Sequence, residues 1–260
     1  MPARESEALV LRTYPYREAD LVVSFFTRDR GKLRGIARGV RRPKSRYGAG
    51  LERLAHVRIG YFQKHTQELV RVDCAESLSP PLVMLADYPC SVALDYIAEV
   101  TDGLLPEHEP NDAYFRLVAL AVETAFKGLE SHERDESAGV PPWMSRIMTY
   151  FALWSVKLGG WLPPLDICLE TGEAIAPDQP AWFDRNHDGL LSADVRTEMS
   201  SVLSPASREL ARTMLRRSLA DLESDSWNPE TARDLRRFLN QRLEMHLEKR
   251  LRTLRLLAAL

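Results

Sequence analysis

The sequence runs to 260 residues, with 35 Lys/Arg against 37 Asp/Glu, a formal net charge of −2 and a pI near 6.3. Apolar residues make up 45%, which supports packed cores and excludes a disordered tail. The opening MPARESEALVLRTYPY lacks the apolar core of a secretory leader, no stretch approaches the ~18 apolar residues of a membrane span, and Cys74, Cys90 and Cys168 suit no disulfide framework, so a reduced cytoplasm is the expected compartment.

The first 78 residues read as β. Alternating or β-rich runs fall at 7–14, 21–28, 32–40, 55–63 and 68–75. Turn signals separate them at Pro15-Tyr16, at Asp29-Arg30-Gly31, along 41–50 and at 64–67. Five short strands with basic loops predict a small closed or half-closed barrel, with an OB-fold first and an SH3-like barrel as the alternative. The charge is concentrated here as well: residues 1–78 carry 16 Lys/Arg against 9 Asp/Glu, and the remainder carries 19 against 28. A near-neutral total therefore hides a basic part joined to an acidic one.

The run from Arg28 to Arg46 holds nine Lys/Arg against one acid, Asp29. Arg30, Lys32, Arg34, Arg38 and Arg42 share one parity, which on an extended strand is one face, and Leu33 has the other. Such a face suits a phosphate backbone. Tyr16 and Tyr47, both expected in loops, are candidate stacking platforms, while Phe25, Phe26 and one of Tyr61/Phe62 are expected in the barrel core.

After Pro80-Pro81 the period changes to helical. Apolar spacing predicts helices over 82–105, 114–129 and 143–158, with a polar linker over 131–142. The segment 161–197, rich in Pro, Gly and Asp, is too irregular for a helix. Ser204-Pro205 and Asn228-Pro229 each place a capping residue before a first-turn proline. The last helix is expected to carry Leu235, Leu239, Leu243, Leu247, Leu251 and Leu254 on one stripe.

Catalytic signatures are missing. The six histidines pair with no Ser or Cys in a nucleophile motif, and neither G-x-S-x-G nor GxxxxGK[ST] occurs, so no catalytic residue and no cofactor are expected. Asp184-Arg-Asn186-His-Asp188-Gly189 copies the first half of a calcium loop, but Val195 stands where a bidentate Glu is needed. A tight Asp-Gly turn between two short strands accounts for these residues without an ion.

Several segments resemble the RecO family of bacterial recombination mediators. They are Thr27-Arg28-x-x-Gly31-Lys32, then Ala37-Arg-Gly-Val-Arg-Arg-Pro-Lys-Ser45, then Leu158-Gly-Gly-Trp-Leu-Pro-Pro164 with Cys168, and finally LNQRLEMHLEKRLRTLRLL at 239–257. The resemblance implies an α+β protein: a five-stranded OB-fold barrel over 1–79, then an all-α domain over 80–260 with an irregular insert over 161–198. It implies binding of single- and double-stranded DNA, annealing of complementary strands, and recombinase loading alongside RecR and single-stranded DNA-binding protein, at the nucleoid and without a membrane. Many members carry four cysteines in the insert. Here the corresponding positions read Cys168, Thr171, Ser192 and Val195, so no zinc is expected.

The expected DNA contacts are Lys32, Arg34, Arg38, Arg41, Arg42, Lys44, Arg46 and Tyr47. For the acidic tail of single-stranded DNA-binding protein, the resemblance implies a pocket in the helices. Leu243 and Leu247 would form its floor, and Arg242 and Arg250 its rim. A protein scaffold whose barrel grips an acidic partner, or RNA, is the alternative.

Overall fold

The computed structural model describes residues 3–42, 45–63, 68–79, 87–131, 139–222 and 227–260. Five strands, β1 (Ala3–Pro15), β2 (Leu21–Thr27), β3 (Gly31–Ala37), β4 (His56–Phe62) and β5 (Val70–Ser77), form a closed barrel in the order β1-β2-β3-β5-β4. β1 closes it: Ala8–Pro15 pairs with β2 and Ala3–Leu9 with β4, and a bulge between Val10 and Arg12 lets one strand serve both neighbours. All pairings are antiparallel except β3 with β5.

Alternation sets the interior. Ala8, Val10, Val23, Phe25, Leu33, Ala37, Val57, Ile59, Tyr61, Val70 and Val72 fill the barrel, with Phe25 edge-on to Tyr61 at 6.0 Å. Phe26 departs from expectation. It lies on the outer face and is buried there against Phe115 (5.5 Å) and Tyr114 (6.4 Å). The VVSFF run of β2 is apolar on both parities because the barrel covers one face and a helix the other.

Six α-helices follow among the described residues: α1 (Tyr88–Leu104), α2 (Asp112–Ser131), α3 (Pro142–Leu158), α4 (Pro205–Arg216), α5 (Pro229–Leu247) and α6 (Arg252–Leu257), with a short hairpin of β6 (Ala181–Phe183) and β7 (Ser201–Leu203). Residues 80–86, where the first helix was expected to begin, and most of the 131–142 linker lie outside the described residues, as does the 64–67 turn. The expected boundary at residue 79 falls between β5 and α1. The compact units divide otherwise: one comprises 1–140 with 251–260, the other 141–250. The helices α1 and α2 join the barrel because they cover outer-face residues such as Phe26 and Ser24, whose hydroxyl donates to Asp102 at 2.7 Å, and α6 packs on α1.

The expected single last helix is two. α5 ends at Leu247, followed by Glu248 in the left-handed conformation (φ 52°), and α6 restarts at Arg252. The restart has a distant cause. Glu99 of α1 accepts from the backbone N–H groups of Arg252 and Thr253 (both 3.0 Å) and from the Thr253 hydroxyl (2.7 Å). Burial alone would raise the Glu99 carboxyl, but these donors bring it below its ordinary value. A carboxylate from 150 residues away thus does the work of a local N-cap.

In the second unit α3 is buried along most of its circumference, and the guanidinium of Arg236 on α5 donates to the hydroxyls of Ser145 (2.7 Å) and Thr149 (2.6 Å). Ser204 and Asn228 cap α4 and α5 as their sequence predicts, each accepting from backbone N–H groups of the first turn. The irregular segment before β7 is held by Arg208 of α4, which is fully buried. Its Nε donates to the Leu165 carbonyl (2.8 Å), Nη2 to Ile175 (2.9 Å), and Nη1 to Ala176 (3.1 Å) and Gln179 (2.6 Å). Burial pushes this guanidinium below its ordinary value.

Candidate functional site

The antiparallel register brings two loops to one barrel end: Pro15 pairs with Leu21, and Leu21 with Ala37. The β1–β2 turn therefore lies beside the residues that follow β3. Their backbones are joined. Asp20 Oδ1 accepts from the Gly39 N–H (2.9 Å), the Arg41 N–H donates to the Ala19 carbonyl (3.2 Å), and the Tyr16 N–H donates to the Asp20 carbonyl (3.0 Å). Gly39 turns the chain with φ +71°, a conformation that favours glycine, and its α-carbon lies against the Arg42 side chain.

Between the loops is a cleft of about 280 Å³ lined by Arg17, Asp20, Arg38, Gly39 and Arg42. All three arginines are exposed. Among the described residues they have no counter-charge bound to them, unlike several other barrel arginines. Arg28 pairs with Glu7 and Asp112, Arg34 with Glu107 (2.9 Å), Arg46 with Asp73 (3.2 Å) and Arg58 with Glu5 and Glu76. Arg17, Arg38, Arg41 and Arg42 form no ion pair with any described acid. Beside them the rings of Tyr14 and Tyr16 are 41% and 37% exposed, with the guanidinium of Arg12 5.8 Å from the first centroid and that of Arg17 5.4 Å from the second. Uncompensated guanidinium next to open aromatic faces is an arrangement for anions and flat rings.

Of the residues singled out in sequence, the structure brings Arg38, Arg41 and Arg42 to this end. Arg34 and Arg46 are exposed but paired, and Lys44 lies outside the described residues. Lys32 is a correction. Its parity is outward as expected, but it is 5% exposed, and its ammonium donates to the Asp102 carbonyl in the last turn of α1 (2.6 Å). The segment after α1 covers that part of β3: the His108 N–H donates to the Lys32 carbonyl (3.0 Å), and Gly31 admits the Glu109 backbone where a Cβ would collide at 2.2 Å. Tyr47 is a second correction. It is buried in the barrel cluster with its hydroxyl donating to the Val72 carbonyl (3.1 Å), so it offers no open face.

Arg17 completes the cleft, and Tyr16 stands next to it in the turn. Arg17 was not singled out in sequence because it lies outside the dense basic run. Pairing β1, β2 and β3 as a meander is the signal that finds it.

The pocket expected on the last helix is also corrected. Leu243 is core, Leu247 is half-buried and Arg250 is exposed. Arg242 is 3% exposed, with its guanidinium on the Asp188 carboxylate and the Trp161 carbonyl. It lines a cleft of about 400 Å³ walled by Trp161, Leu162, Pro163, Ile167 and Leu169, and not by its own helix's leucines.

Some of the insert's polar groups bond to one another. Trp182 and Leu191 exchange N–H···O bonds (2.9 and 2.8 Å) around the Asp184–Gly189 turn. Asp184 accepts from the Asn186 N–H (2.9 Å), the His187 N–H (3.1 Å) and the Ser200 hydroxyl (2.9 Å). The Cys168 sulfur is buried and accepts from the Ser192 N–H at 3.3 Å. Burial would raise this thiol, but hydrogen bonds from Thr171 and Ser192 bring it down to about 6. Thr171 and Ser192 thus stand as donors to the sulfur at two of the positions the resemblance assigns to thiolates.

A closed barrel of this strand order followed by helices defines an OB-fold protein. The family profile described as recombination protein O N terminal matches residues 1–81, and that described as recombination protein O C terminal matches 85–255. A protein of Koribacter versatilis named DNA repair protein RecO is 42% identical over 98% of both chains. Its namesakes from Bifidobacterium adolescentis and Streptomyces coelicolor are 30% identical over 99% of this chain and all of theirs, and 28% identical over 96% of both. The chain belongs to the recombination protein O family. No helix among the described residues is long and apolar enough to cross a membrane.

Proposed function

We propose that this protein acts in DNA repair and recombination. It binds single- and double-stranded DNA at the basic end of its barrel, anneals complementary strands, and helps load the recombinase onto DNA coated with single-stranded DNA-binding protein, in partnership with RecR. The observation that carries this reading is the convergence of Arg17, Arg38 and Arg42, with Arg41 beside them, at one barrel end without acidic partners. Family membership and the relatives' names support the same assignment. Annealing needs no catalytic residue: it needs two phosphate backbones neutralised at once with their bases left free.

A salt series tests the reading. With about four to six phosphate contacts, log affinity for single-stranded DNA should fall with log salt at a slope near −3 to −4. Changing Arg41 and Arg42 together to alanine should weaken all sequences alike and flatten the slope by about 1.4, since each lost contact removes about 0.7. Unchanged affinity and annealing in that variant, with circular dichroism intact, would sink the proposal.

A further inference from the structure

The arginine cleft has a shape and charge that a phosphodiester does not fully use. Three guanidiniums, Arg17, Arg38 and Arg42, face one carboxylate, Asp20, leaving a surplus of two positive charges. An internal phosphodiester brings one negative charge and two free oxygens. A phosphomonoester brings a charge of about −1.5 to −2 at neutral pH and three acceptor oxygens, one for each guanidinium. The Tyr16 ring adjoins the cleft through Arg17, whose guanidinium lies 5.4 Å from its centroid, and it is open enough to take a base.

We propose that this cleft receives the phosphomonoester at the end of a nucleic-acid strand, with the terminal base laid on Tyr16. The inference rests on the DNA-binding reading and adds a preference for ends to it. Two turns build the receptor. Arg17 stands in the left-handed region (φ 70°), unusual for a residue with a side chain, and Gly39 is left-handed opposite it. Asp20 holds the two turns together through the Gly39 N–H, so its carboxylate organises the cleft while leaving the positive surplus.

The test uses the full chain and fluorescence anisotropy. One single-stranded oligonucleotide of roughly 12 nucleotides is prepared with a 5′-phosphate, with a 3′-phosphate, and with hydroxyls at both ends. A terminal phosphate at either end should tighten binding about fivefold near 0.1 M salt, as expected for one added charge at contact distance in water. Arg17→Gly removes a guanidinium while suiting the left-handed backbone, so the fold is kept. This variant should bind the hydroxyl-ended strand more weakly, as the loss of one phosphate contact requires, and should bind the phosphorylated strands no tighter than that strand. Equal affinity of all three oligonucleotides overturns the inference and leaves the DNA-binding reading standing. Binding of none overturns that reading and the inference with it. A preference that survives Arg17→Gly removes the cleft from the assignment. Inorganic phosphate, added at constant ionic strength, separates the two sources of the group: if it abolishes the preference at micromolar concentration, the cleft is a free-phosphate site and the strand-end assignment fails.

Discussion

At the basic end of the barrel, Arg17, Arg38 and Arg42 face solvent with no described acid paired to them, while in the second unit Arg208 is fully buried with four carbonyl oxygens on its guanidinium. The side chain is the same, and its surroundings decide its task. Arg208 closes an irregular segment that has too little regular structure to satisfy its own carbonyls. The barrel arginines are attached to strands and turns whose backbone groups are already paired, and so remain open to an outside acceptor. Positive charge in sequence therefore points to a ligand only where the fold supplies no internal partner.

The largest test of that contrast is Arg208→Met. It leaves four carbonyls without their donor and should cost on the order of 3–5 kcal/mol, read by urea denaturation, with DNA affinity unaltered in the protein that remains folded. A cost under about 1 kcal/mol would show that the segment stands without Arg208. Lys32→Met comes next, because Lys32 sits in the basic run yet has an internal partner. It should lower stability by about 1–2 kcal/mol and leave the salt slope of DNA binding where it was. A slope flattened by about 0.7 would return Lys32 to the phosphate contacts.

The remaining test concerns Cys168. Its thiol is held at about 6, below its ordinary 9.0, so the folded state favours the thiolate. Stability from this group is fully present above about pH 9, the unfolded value, and is lost as pH falls through about 6. The stability difference between the natural protein and Cys168→Ser should therefore grow steadily as pH rises from 6 to 9. A flat difference across that range would mean the thiol stays protonated. The corresponding absorbance change of the thiolate provides a second readout.

Much of the barrel was legible in sequence. Strand parity placed Leu33 inside and Arg34 outside, and the five strands fall where alternation put them, because a small barrel needs one apolar face and its turns need Gly, Asp and Pro. What alternation cannot show is what covers the outer face. Phe26 and Lys32 were misread for that reason, since both lie under chain that follows in sequence by 70 residues or more. The caps at Ser204 and Asn228 are local and were readable, whereas the break after Leu247 was not, because its cause is the carboxylate of Glu99. In the site, charge density pointed to Arg38, Arg41 and Arg42. Arg17 required the register.

The Glu99 cap on α6 has a consequence for dissecting the molecule. The unit containing the barrel is discontinuous in sequence: residues 251–260 belong with 1–140, and 141–250 are spliced between them. A fragment that stops before Leu251 leaves the Glu99 carboxylate buried in α1 without the two N–H groups and hydroxyl it accepts from, and a fragment that stops near residue 80 loses α1 and α2 and uncovers Phe26. Isolating the barrel intact calls for a chain that keeps both ends and replaces the middle with a short linker.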